Sequence, residues 1–139
     1  MVEGWLKDNY FILFDTLERS AASSRYAIEQ WLPGYQVVGL RGWDDLLVQD
    51  AAGHVFFVPC VPLEAEHLSP FTAPLQSDAL SNDARFTGKI KWYVQPLALG
   101  GSPTDAANIS WVSHEQHGQL VAWWNERYSQ FKAQSTVGA

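Results

Sequence analysis

Cysteine is almost absent from the sequence, because Cys60 is the only one in 139 residues. An internal disulfide is therefore excluded, and so is a zinc site built from several cysteines. This usage is typical of a reducing compartment, and we expect a cytoplasmic protein. Cys60 ends an apolar run between Pro59 and Val61, without a helix N-terminus to lower its pKa. We therefore expect a small buried hydrophobic residue there and not a nucleophile paired with a histidine.

Basic residues are also scarce. Nine Lys and Arg stand against fifteen Asp and Glu, which gives a formal net charge of −6. A surface that neutralises phosphates needs the opposite balance, so nucleic acid and anionic membranes are not expected partners. An acidic domain is instead suited to being drawn onto a basic macromolecule.

Long hydrophobic runs and internal repeats are missing as well. The apolar run Tyr10–Phe14 is too short for a signal core or a membrane span, and no basic region precedes it. No repeat with a period of about 20 to 50 residues is visible, which excludes solenoids and propellers. We expect an unexported chain without a membrane segment.

Aromatic residues, in contrast, are plentiful. The chain has seven Trp, seven Phe and five Tyr, with 47% hydrophobic and 17% charged residues. Disordered chains have the opposite composition, so this chain is expected to fold. Its length suits one core, and we expect residues 1–139 to form a single domain.

Two helices are predicted before the first strand. The first is indicated by apolar residues at spacings of four, three and four, namely Leu6, Tyr10, Leu13 and Leu17. The continuous run Tyr10–Phe14 would also suit a buried strand, and helix is favoured. A second helix is expected over 21–32, because Pro33 and Gly34 are typical of a helix end.

Strands are predicted in the middle of the chain. Residues 35–40 are rich in β-branched side chains, and segments 43–49 and 54–61 flank a turn with Gly53. Residues 88–94 alternate polar and apolar side chains, and we expect this strand to pair with the hairpin.

The C-terminal part is predicted to hold a long helix. Ser113 and Gln116 form a capping box, and apolar spacings of three and four predict a helix from about His114 to about Lys132. Residues 62–83 are expected to form a long surface loop, and 133–139 a frayed tail. The sequence thus predicts an α+β fold, with N-terminal helices and a long C-terminal helix packed on a small, mainly antiparallel sheet of three or four strands.

Two histidines at the start of this helix form the candidate metal site. His114 and His117 stand at i and i+3 and could reach one ion, with Glu115 or Asp105 assisting. No third ligand has a metal-type spacing, so we expect no metal and no other cofactor. A small metal-dependent enzyme that uses the two histidines is the alternative.

Trp123 and several acidic residues are the candidate partner-binding positions. Trp123 and Trp124 point about 100° apart on a helix. Trp124 is assigned to the core, while Trp123 either covers a sheet edge or joins an exposed contact patch. The acidic candidates share a predicted place at the surface: Asp44, Asp45, Glu64, Glu66 and Glu126.

Three segments near the C-terminus, 99–108, 111–117 and 120–125, resemble the closing part of small bacterial immunity proteins. These are often grouped with the SUKH superfamily and neutralise toxins delivered by type VI secretion or contact-dependent systems. The hairpin segment 43–62 is similar to material from such proteins. The resemblance implies a cytoplasmic protein that is not an enzyme and that binds a cognate toxin and covers its active site. An adaptor or chaperone for a secreted effector is a further alternative, and the oligomeric state is left open.

Overall fold

An antiparallel sheet of six strands forms the centre of the protein, and a two-stranded sheet lies beside it. The computed structural model describes residues 1–72 and 79–137, with the side chains of the last helix up to residue 133. The fold is α+β, as predicted. The elements are β1 (Val2–Leu6), β2 (Asn9–Leu13), α1 (Thr16–Arg25), α2 (Ile28–Trp31), β3 (Gln36–Arg41), β4 (Asp45–Gln49), β5 (Val55–Pro59), β6 (Ser69–Pro70), β7 (Ile90–Tyr93), β8 (Ile109–Val112) and α3 (His114–Val137).

The predicted first helix is wrong, because β1 and β2 form a hairpin there. Tyr10, Phe11 and Ile12 are all buried, although consecutive side chains of a strand point to opposite faces. A sheet covered on both faces accommodates such a run, whereas a helix with one apolar stripe does not. Leu17, the last member of the predicted stripe, is 86% exposed on α1.

The predicted strands of the middle segment are confirmed as β3, β4 and β5, but the sheet is larger than the expected three or four strands. Its strands are adjacent in chain order from β1 to β6. The prediction that the strand within 88–94 joins the hairpin is wrong. β7 pairs instead with β8, in the register Ile90 with Val112, because the free edge of β5 is taken by β6.

Local capping signals place the helices. Asp15 and Glu18 form a capping box before α1, and Ser113 and Gln116 form another before α3. The start of α3 at His114 is as predicted. The helix continues to Val137, into the segment 133–139 for which the sequence predicts a frayed tail, and residues 138 and 139 lie outside the described residues.

The segment 62–83, predicted as a long surface loop, carries a 3-10 turn at Ala65–His67 and the short strand β6. Residues 73–78 of this segment lie outside the described residues. Across the described ranges, no helix combines the length and apolar character needed to cross a membrane.

The core lies on both faces of the six-stranded sheet. The main cluster joins the strands to α1 and α3 through buried residues that include Tyr10, Ile12, Tyr26, Leu40, Leu46, Val58 and Val121. The opposite face has a smaller cluster of Phe11, Val38 and Leu47, on which Phe71 and Leu80 pack. Cys60 belongs to the main cluster and is buried, as expected.

The two outer strands of this sheet are short or covered. Along β1, the backbone N–H of Trp5 donates to the carbonyl of Ser81 at 2.8 Å, and the N–H of Ser81 donates to the carbonyl of Trp5 at 2.9 Å. At the other edge, β6 has two residues, and the second is Pro70. Proline has no N–H to offer a neighbouring strand.

Candidate partner-binding surface

Asn125 fixes α3 against the chain that follows β5. Its side-chain Nδ2 donates to the carbonyls of Cys60 and Val121, both at 2.8 Å, and its Oδ1 accepts from the N–H of Leu63 at 2.7 Å. The residue is 2% exposed. The bonds to Cys60 and Leu63 satisfy backbone groups that lie outside regular secondary structure and thereby fix this chain segment against the helix.

His117 connects α3 with the end of α1. Its Nδ1 shares a hydrogen bond of 2.6 Å with the hydroxyl of Tyr26, and its ring is fully buried. Burial, with smaller contributions from the nearby His114 and Arg25, lowers the pKa of His117 to about 3. His117 is therefore neutral at physiological pH and packs as a core residue.

The two histidines are not part of any group of three metal-ligating side chains that the described residues form. Among the described residues, the acidic, histidine and cysteine side chains close enough to hold one ion in a group of three are Glu64, Glu66 and His67. His114 and His117 belong to no such group. Arg25, whose positive charge contributes to lowering the pKa of both histidines, would also repel a cation.

Acidification is expected to destabilise the fold through His117. Its pKa in the folded state lies below the ordinary value of 6.5, so the unfolded chain takes up the proton first. Stability therefore falls as the pH drops from 6.5 towards 3. Between pH 7 and pH 5 this one group is expected to lower the free energy of unfolding by about 2 kcal/mol, measured by urea denaturation.

The control for this effect is His117→Gln, which removes the titrating ring. It is expected to be less stable than the natural protein at pH 7, because the bond to Tyr26 changes. Its further loss between pH 7 and pH 5 should be smaller. An equal loss in both proteins would assign the acid sensitivity to other groups.

Most of the predicted acidic contact residues already have partners within the chain. Glu64 and Glu66 form ion pairs with Lys132. Glu126 accepts a hydrogen bond of 3.0 Å from the amide of Gln30.

The two aspartates at the start of β4 differ in whether their carboxylates have a partner within the chain. Asp45 is paired with Arg41 at 3.0 Å. Asp44 is exposed, and its carboxylate has no hydrogen bond or ion pair with any residue in the described ranges. Among the predicted acidic contact residues, Asp44 is thus the one whose carboxylate has no hydrogen bond or ion pair within the described ranges.

An aromatic cluster fills the space between the sheet and the ribbon β7–β8. Its members pack ring against ring: Trp5, Tyr10, Trp43, Phe86 and Trp111. The indole N–H of Trp5 donates to Asp83 at 3.1 Å. Hydrogen bonds from Arg85 and from this indole hold the pKa of Asp83 well below its usual range.

An open apolar groove runs along α3. Its first part has a volume of about 620 Å³, and its lining residues come from the ribbon and the helix: Val94, Val112, Gln116, Gln119, Leu120, Trp123 and Trp124. A second hollow of about 260 Å³ shares Trp124 with the first and is lined by Leu99, Trp124, Arg127, Gln130 and Phe131. We call these two hollows together the α3 groove.

Large apolar side chains are exposed at this groove. Trp123 is 52% exposed, Val94 is 52% exposed and Phe131 is 61% exposed. The ring of Trp123 rests against Trp124, with 4.8 Å between ring centroids, and the guanidinium of Arg127 lies 5.3 Å from its centroid. Trp123 therefore stands in a fixed setting and faces solvent, which favours the contact patch over a covered sheet edge.

Phe131 continues the apolar spacing of the predicted helix, but it is exposed and does not reach the core. The helix continues beyond the sheet and ribbon that cover its first turns, so its later apolar residues have less to pack against. Val94 was missed as a contact residue because it ends a strand with a regular alternating pattern. Its exposure depends on where neighbouring elements stop, which the local pattern does not contain.

No protein-family model matches the sequence, and comparisons with curated proteins and with solved structures also gave no match. The case for a function therefore depends on the residues of this chain.

Proposed function

We propose that this chain is an immunity protein that binds a cognate antibacterial toxin and neutralises it by covering the toxin's active site. The observation that carries the proposal is the α3 groove, where Trp123 and its apolar neighbours are open to solvent. Contiguous exposed apolar surface of this kind marks interaction sites, and tryptophan is enriched among the residues that dominate binding energy.

Two further observations support a protein partner of basic character. The net charge of −6 favours approach of a positively charged surface and raises the rate of association with it. Segments 99–108, 111–117 and 120–125, which resemble immunity proteins, include residues that line the α3 groove. An interface of standard size, about 800 Å² on each partner, would extend beyond the groove onto neighbouring surface.

Under this proposal the protein acts in the cytoplasm of the cell that it protects, against a toxin delivered by type VI or contact-dependent secretion. It needs no catalytic residue, cofactor, nucleic acid or membrane. An adaptor for a secreted effector would use the same groove but would leave its client active. The activity of the bound partner therefore distinguishes the two functions.

The proposal is tested by co-expression. The protein serves as bait in a lysate of its source cell, and any toxin-like chain that is captured is expressed in a sensitive host with and without it. Rescue of growth together with a one-to-one complex is the expected result. A captured chain that remains toxic, or remains enzymatically active when bound, would contradict an immunity function and favour an adaptor.

Trp123→Ala is expected to weaken the complex by about 30-fold or more, as for a tryptophan that carries about 2 kcal/mol of binding energy. Because Trp123 is half exposed and packs on Trp124 and Arg127, the free energy of unfolding should fall by only about 1 kcal/mol. Titration calorimetry and urea denaturation measure the two quantities. Leu17→Ala, which truncates an exposed apolar residue on α1, is the matched control and should bind normally.

A further inference from the structure

A small pocket lies between the start of β4, the end of β5 and the end of β7, apart from the α3 groove. Its volume is about 160 Å³. Its lining includes the aromatic residues Trp43, Trp92 and Tyr93, and the charged residues in the lining are Asp44, Asp45 and Lys91. We call it the Asp44 pocket.

The charge at this pocket is incompletely paired. Asp45 is engaged by Arg41. The ammonium of Lys91 lies over the ring of Tyr93, 5.0 Å from its centroid, and is not within ion-pair distance of Asp44. Asp44 is thus a carboxylate beside aromatic walls that has no cation bound to it in the described part of the chain.

The surroundings of Asp44 make this unpaired state costly. Asp44 is exposed, but partial desolvation by neighbouring atoms raises the pKa of its carboxyl group, an effect that Lys91 partly offsets. A cation placed at the carboxylate would favour its charged form.

The size of the pocket restricts what can occupy it. Sites for cofactors and other drug-sized ligands have volumes of about 300 to 1,000 Å³. A cavity of about 150 Å³ holds a molecule the size of benzene. The Asp44 pocket therefore suits one side chain of a partner and not a cofactor.

We propose that the Asp44 pocket receives the guanidinium group of an arginine side chain on the toxin. A guanidinium is planar, is weakly hydrated and donates hydrogen bonds to a carboxylate, which matches the small volume of this pocket and the charge of Asp44. An ammonium is more strongly hydrated and loses more on leaving water, so lysine fits less well. This inference rests on the proposed function, because it assumes a protein partner.

The position of the pocket agrees with a single interface. The 3-10 turn Leu97–Leu99 separates the two sites, and it contributes Leu97 to the Asp44 pocket and Leu99 to the α3 groove. A partner that covers the groove can therefore reach the pocket across one turn of chain. The groove would bind its apolar residues and the pocket its arginine.

The test uses the free protein and small probes, so it does not depend on the toxin. Blocked arginine, N-acetyl-arginine methylamide, is titrated into the ¹⁵N-labelled protein and followed by NMR. We expect saturable shifts at the Trp43 indole and at the amides of Asp44 and Lys91. Blocked citrulline, which has the same shape without the charge, should produce no such shifts.

Two variants complete the experiment. Asp44→Asn should weaken binding of the arginine probe by about tenfold, a loss typical of a charge-assisted bond. Asp8→Asn, at an exposed position on the β1–β2 turn, removes the same charge elsewhere and should bind normally. Equal binding of citrulline or blocked lysine, or undiminished binding by Asp44→Asn, would overturn the proposal.

The outcomes separate this inference from the proposed function. If the arginine probe binds but the captured partner is not neutralised, the pocket is a guanidinium site and the immunity function is refuted. A neutralised toxin whose binding needs Trp123, combined with no arginine binding at Asp44, would refute the pocket and keep the function.

Discussion

Asn125→Ala is expected to lower the free energy of unfolding by about 3 kcal/mol. The change leaves the N–H of Leu63 and the carbonyl of Cys60 buried without their hydrogen-bond partners. Each such unsatisfied group costs about 1 to 3 kcal/mol, because water cannot reach it in place of the lost amide. Chemical denaturation followed by tryptophan fluorescence measures the loss.

Asn108 offers a matched control, because its side chain also makes three hydrogen bonds to the backbone. Its Nδ2 donates to the carbonyls of Gln95 and Ser102, and its Oδ1 accepts from the N–H of Gln95 at 2.7 Å. These bonds lie in an exposed loop, so water can replace the amide, and Asn108→Ala should cost only about 1 kcal/mol. Equal losses in the two variants would show that burial is not the deciding factor.

Trp43 is the second position where a single substitution should have a large effect. The residue has a positive φ of 63° in the turn between β3 and β4, a conformation that costs a side-chain-bearing residue about 1 to 2 kcal/mol. Its ring stacks on Tyr10 at 5.1 Å between centroids and meets Phe86 and Trp111 edge-on, both at 5.3 Å. Packing of the ring outweighs the backbone strain.

Trp43→Ala is therefore expected to destabilise the protein by about 3 to 5 kcal/mol, the usual cost of removing a packed aromatic ring. Trp43→Gly loses the same ring but relieves the strain, so it should be more stable than Trp43→Ala by about 1 kcal/mol. The two variants are compared by urea denaturation. A glycine variant that is less stable than the alanine variant would show that the turn is not strained.

Local signals explain which elements were predictable. The start of α3 follows from Ser113 and Gln116, and the β4–β5 hairpin from the turn at Gly53, because caps and turns involve residues close in sequence. The hairpin β1–β2 was missed because burial on both sheet faces produces a continuous apolar run, which resembles a helix stripe when sampled at spacings of three and four.

The pairing of β7 was unpredictable for a different reason. Its partner β8 has four residues and lies in a segment without a clear period, and nineteen positions separate Ile90 from Ile109. The competition between β8 and the sheet edge is decided by β6, which already occupies β5. Such competition between distant segments leaves no mark in a local pattern.

The candidate contact residues could also be predicted only as far as they depend on neighbours in the sequence. Trp123 was selected from its angle to Trp124 on the helix, a local relation that the structure preserves. Whether an acidic residue is open to a partner depends on distant side chains, as Glu64 with Lys132 illustrates. Asp44 differs from Glu64 only through such long-range packing, so the sequence alone could not show which of the two carboxylates is paired within the chain.

The covered edge of β1 and the two-residue strand β6 restrict how this protein can associate. A partner that adds a strand to a sheet needs an exposed row of backbone N–H and C=O groups. Ser81 occupies those groups at Trp5, and Pro70 cannot donate at the other edge. Copies of the chain therefore have little means to stack edge to edge through the described strands of the six-stranded sheet, even when the protein is abundant. Recognition through the six-stranded sheet has to be made by side chains, so its specificity can change by substitution while the backbone of the sheet stays the same.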